Sequence, residues 1–109
     1  MKVGNKMNMT KKGIKMNISK CLKNYEFKKS EELTTKIRKQ HEITNGYKFI
    51  DDENNESQIF ITWCDDNLDI KSKSEIIEKI YNILDRHGFF EYIEFEKDKA
   101  QIIVNNFKE

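Results

Sequence analysis

Large apolar residues recur at helical spacing between Ser72 and His87: Ile76, Ile77, Ile80, Tyr81, Ile83 and Leu84, with His87 closing the series. The stripe is wider than a coiled-coil seam, so the pattern predicts a helix over residues 72–87 that lies on a sheet. Ser72-Lys73-Ser74-Glu75 reads as a capping box, in which Ser72 accepts from the Glu75 amide and Glu75 reaches back. Arg86 and His87 fall in the last turn, where cations suit the helix dipole, and Gly88 stands where a left-handed residue ends a helix. Beyond Gly88 the period changes from 3.6 to 2. Residues 92–96, a Lys97-Asp98-Lys99 turn and residues 100–104 then read as a hairpin.

Upstream, Ile18, Cys21, Leu22 and Tyr25 fall on one helical face, with Asn17 as the expected cap and Phe27 closing the cluster. Ser30-Glu31-Glu32 can begin another turn. Residues 33–44 read two ways. Leu33 and Ile37 suit a helix, whereas Thr34, Thr35, Ile43 and Thr44 suit a strand. Asn45-Gly46 is a strong type I′ turn signal, since both residues tolerate positive φ. It predicts residues 36–44 paired with residues 47–51; the alternative is a helix from Ser30 to Gly46. Residues 58–64, Gln-Ile-Phe-Ile-Thr-Trp-Cys, predict a strand with few polar interruptions, hence a central one. The expected fold is α+β, a single small domain of order α-β-β-β-α-β-β, with the 72–87 helix packed on an antiparallel sheet. Gly46-Tyr47 before Gln58-Ile59 and Gly88-Phe89 before Gln101-Ile102 form a weak internal echo.

With 109 residues, 37% of them hydrophobic and 36% charged, the chain suits one small domain with a modest core. The two cysteines, Cys21 and Cys64, are too few for a disulfide framework and read as reduced core thiols. No apolar run approaches the ~20 residues of a membrane helix, and the expected location is cytoplasmic. Residues 1–15 hold five lysines, no acid and no apolar period, and predict a disordered basic leader before a domain spanning residues 16–109. Such an arm can touch phosphate. Met16 is an alternative start: Lys11 to Lys15 can be encoded as a ribosome-binding sequence. Without the five leading lysines the net charge falls from +1 to −4.

Two acidic loops flank the central strand. Asp51, Asp52, Glu53 and Glu56 stand before it, and Asp65, Asp66 and Asp69 after it. Asp65, Asn67 and Asp69 match the first positions of a calcium loop, but Ile70 and Ile76 replace its glycine and its bidentate glutamate. Asp65 and Asp66 could hold a cation; the plainer reading is a solvated loop at a helix N-terminus. Cys21, Cys64, His41 and His87 lack zinc spacing, and the four glycines are isolated, so no phosphate-cradling loop exists. Cys64 with a histidine could form a nucleophile and base, though its place at the end of an apolar strand favours packing. No cofactor, no metal and no catalytic constellation are expected.

Arg86-His87-Gly88-Phe89-Phe90-Glu91-Tyr92 resembles the RNA-stacking strand of RRM domains, although Glu91, Glu94 and Glu96 would repel phosphate. The α-β-β-β-α order, with Lys71 and Lys73 at the start of the second helix, resembles that of double-stranded-RNA-binding domains. It lacks their Gly-rich and His-containing segments. That resemblance implies nucleic-acid contacts at Lys71, Lys73 and Lys79. In size, α+β build and acidic loops the chain is similar to phage and mobile-element inhibitors of bacterial defence, including anti-CRISPR proteins, and to toxin immunity proteins. This similarity implies a protein that acts by occupying another protein. Asp51, Asp52, Glu53, Glu56, Asp65, Asp66 and Asp69 would then meet a basic partner surface, such as that of a nucleic-acid-handling enzyme. The alternative is a nucleic-acid-binding module.

Overall fold

A computed structural model of the chain describes residues 10–25, 46–64 and 67–107. The first helix, α1, runs from Lys11 to Leu22. Thr10 caps it: its backbone is extended, and its hydroxyl accepts from the Gly13 amide at 3.0 Å. Ile14, Ile18 and Leu22 follow at four-residue spacing and are fully buried. Residues 11–15 are therefore the first turns of a packed helix rather than part of a disordered leader. Ile14 supplies the apolar anchor, while the intervening lysines face outward or lie half-exposed. Asn17, expected as the cap, lies exposed in the helix interior. Residues 1–9 of the expected leader lie outside the described residues, as do Phe27, Ser30, His41 and the expected strand over residues 36–44.

Strand β1, Tyr47–Asp51, pairs antiparallel with β2, Ile59–Trp63, across a loop of residues 52–58. Helix α2 spans Ile70–Leu84. Its cap is Asp69, three residues before the expected cap Ser72: the Asp69 Oδ1 accepts from the Ser72 amide at 2.7 Å. A carboxylate at that position also faces the positive end of the helix dipole. Ile77, Ile80, Ile83 and Leu84 are buried as the stripe predicted. So is Ser74, whose hydroxyl donates to the Lys97 carbonyl at 3.0 Å. His87 departs from the expected stripe and is exposed. It falls in a wide π-turn over Asp85–Phe89, which Gly88 kinks at φ 95°.

Strands β3, Ile93–Glu96, and β4, Gln101–Val104, form the expected hairpin. Lys97–Lys99 turn as a short 3₁₀ segment and Ala100 closes it in the left-handed conformation, φ 51°. The four strands lie in the order β1-β2-β4-β3, all antiparallel. The α+β class is therefore observed, with element order α-β-β-α-β-β over the described residues. β2 is central, as its few polar interruptions predicted. β2 and β3 run parallel with β4 between them, and α2 makes the crossover, a split β-α-β unit.

One face of the sheet carries Tyr47, Phe49, Ile59, Ile61, Ile93, Ile102 and Val104. These join Ile14, Ile18 and Leu22 of α1 and the α2 stripe in a single core. Both helices thus lie on that face.

Candidate functional site

The described acidic residues do not form one surface. The 52–58 loop leaves one end of β2 and the residues that lead to α2 leave the other. About 17 Å of extended chain separates them. Asp51 ends β1 on the inward side of the pleat and pairs with Lys15 of α1, Nζ to Oδ1 2.9 Å. That hydrogen bond, with the charges of Lys15 and Lys11, holds its carboxyl below the usual range. Asp52 accepts from the Asn54 amide at 2.9 Å, and Asn55 accepts from the Ser57 amide at 2.9 Å, so the loop is shaped by its own side chains. Glu53 and Glu56 are exposed on it. Asp69 is occupied as the α2 cap, and its bonds to Ser72 hold its carboxyl low. Asp65 and Asp66 lie outside the described residues.

The lysines do not align either. Lys71 is exposed and Lys73 half-buried in the first turns of α2. Lys79 lies about 12 Å further along the axis and roughly 80° round from Lys71. It lines an open cleft with Tyr25, Asn82, Ile83, Asp85 and Arg86. At this cleft the chain leaving α1 meets the end of α2. The Tyr25 hydroxyl lies 2.7 Å from His87 Nε2, and the rings meet edge-on with centroids 5.8 Å apart. Both residues belong to the expected helix stripes, and their pairing depends on the π-turn, which no local sequence signal marks.

Strand register assembles a further feature, the outer face of the sheet. Ile50, Phe60, Ile103 and Glu94 stand side by side in one row across the four strands. Lys48, Thr62, Gln101 and Glu96 form the next row. Ile50 is 40% exposed, Phe60 and Ile103 are half-buried, and none belongs to the core cluster. Among the described strands, Lys48 marks the β1 edge, and Glu94 and Glu96 mark the β3 edge. Gln101 donates to Glu96. The signal was present in the sequence: β2 is apolar at consecutive positions, so both of its faces carry hydrophobes.

Cys21 and Cys64 are free and half-buried, and burial pushes the Cys21 thiol up. Among the described residues no three His, Cys, Asp or Glu side chains come together to hold a metal ion, and no helix is long and apolar enough to cross a membrane. No family model matches the chain, and no curated protein or solved structure matches it.

Proposed function

We propose that this chain is a binding protein that acts by occupying another protein, and that the outer face of its sheet is the contact surface. The row Ile50–Phe60–Ile103 supports this reading: three large hydrophobes aligned on the face opposite the helices and the core. An aromatic residue central in an apolar patch is the usual anchor of a protein interface. The patch is borne on strands rather than loops, so little ordering is needed on binding. Glu94 and Glu96 beside it favour basic residues on the partner. Glu53 and Glu56 can steer such a partner from a distance.

The test starts from a partner captured with the full chain and purified, with affinity measured by calorimetry. Phe60→Glu should weaken the complex by about 30-fold or more, the effect of losing an interface anchor. Glu53→Gln with Glu56→Gln should slow association at low salt and change affinity by only about 2–3-fold. Unchanged affinity in a folded Phe60→Glu chain would refute the reading. Tight binding to duplex RNA that disappears in Lys79→Gln with Arg86→Gln would favour the nucleic-acid alternative instead.

A further inference from the structure

The outer face has a symmetry that narrows what can cover it. Each row runs from the β1 edge to the β3 edge. In one row Lys48 stands at the first edge and Glu96 at the last; in the other, Ile50 stands first and Glu94 last. Consider a two-fold axis parallel to the strands, lying between β2 and β4. It lays β1 of one copy over β3 of the other and leaves each row facing itself. Phe60 then meets Ile103 of the second copy, and Ile103 meets its Phe60. Lys48 meets Glu96 of the second copy at both ends, and Ile50 lies along the stem of its Glu94. An isologous contact needs this kind of self-complementarity, with one patch supplying both halves.

We infer that the outer sheet face pairs with a second copy of the chain, apolar row on apolar row, closed at each edge by a Lys48–Glu96 pair. The inference rests on the reading of this face as the contact surface. Lys48 makes no ion pair with any described residue, and Glu96 keeps acceptor capacity beyond its bond from Gln101. Sheets packed face to face cross at about 30°, which moves the edges by only a few Å, within reach of Lys and Glu side chains. Four strands of about five residues give a plan area of only about 300 Å². The contact is therefore smaller than a standard interface, and the dimer is weak and reversible. Self-pairing and a different protein would compete for the same residues, so dilution would free the face.

Sedimentation equilibrium of the full chain, from about 10 µM to 1 mM, spans the range expected for so small a contact. The wild type should pass from monomer to dimer across it. Phe60→Glu should weaken the dimer by about tenfold or more. Lys48→Glu and Glu96→Lys should each weaken it, because each sets like charges against each other at both edges. Mixed in equal amounts, these two variants should associate at least as well as the wild type, since every edge pair is then attractive. A wild type that stays monomeric to about 1 mM would overturn the inference. So would a dimer indifferent to Phe60→Glu, or a Lys48→Glu and Glu96→Lys mixture that remains monomeric. If Phe60→Glu fails to fold by circular dichroism, the mixing experiment decides alone. A monomer whose binding to a different protein still needs Phe60 would overturn self-pairing and leave the contact surface standing. A monomer destabilised by Phe60→Glu would show that the face is covered within the chain.

Discussion

Ile14 tests whether the residues before Met16 belong to the folded domain. Its side chain is fully buried, one helical turn before Ile18 and two before Leu22. Ile14→Ala removes three carbon atoms from that core. At about 0.8 kcal/mol for each buried methylene, the transfer loss alone is about 2.4 kcal/mol. The cavity left behind adds to this, and substitutions of this kind cost about 2–5 kcal/mol in total. In a domain of about this size each kcal/mol lowers the melting temperature by roughly 4–8 °C, so the drop should be about 10 °C or more. Thermal unfolding by circular dichroism, with urea titration at 25 °C alongside, measures it. Lys12→Ala is the control, since Lys12 is exposed in the same helix. Its melting temperature should move by less than about 3 °C, because exposed substitutions stay within about 0.5 kcal/mol. A drop under about 3 °C for Ile14→Ala would refute the packed helix and restore a solvated leader.

Two further outcomes follow from backbone and charge. Gly88→Ala meets no obstacle from the rest of the domain, since outside its own local backbone no atom lies within 4 Å of the added Cβ, so only its φ of 95° resists. The cost should be about 1–2 kcal/mol by urea unfolding, with Gly88→Asn milder. Asp69 has a carboxyl held low by its bonds to Ser72, so its stabilising effect is present above the ordinary carboxylate pKa and lost as pH falls through the depressed value. The melting-temperature gap between wild type and Asp69→Ala should therefore be constant from about pH 5 to 8 and shrink below about pH 4.

The α+β class was legible because the 72–87 helix keeps one period over its length, the chain beyond Gly88 switches to another, and the central strand is a nearly continuous apolar run. The start of α1 was not. Lys11, Lys12 and Lys15 surround a single isoleucine, so composition suggested a leader while the stripe that includes Ile14 spans positions 14, 18 and 22. The start of α2 was misplaced because Ser72-x-x-Glu75 and Asp69-x-x-Ser72 both satisfy capping chemistry, and only the fold selects between them. The candidate site was the least legible. Asp51 and Asp69 stand among exposed acids in the sequence, but one is paired across elements with Lys15 and the other closes a helix end. The outer face exists only through register, which brings together Ile50, Phe60 and Ile103 from three separate strands.

The strand order also divides the folding reaction. β1 and β2 pair residues no more than 16 positions apart, and β3 and β4 no more than 11. Both hairpins can close early, at small loop entropy. The ladder between β2 and β4 joins residues 39 to 45 positions apart, with α2 in between. Its inward pairs, Ile59 with Val104 and Ile61 with Ile102, are fully buried and draw their burial from α2 as well. The costly step is therefore the docking of two preformed hairpins onto the crossover helix. The folding rate should depend on Ile61 and Ile102 more than on the hairpin turns. The chain has no proline, so no prolyl isomerisation delays that step. The rate at which one ladder closes sets the pace for the whole domain.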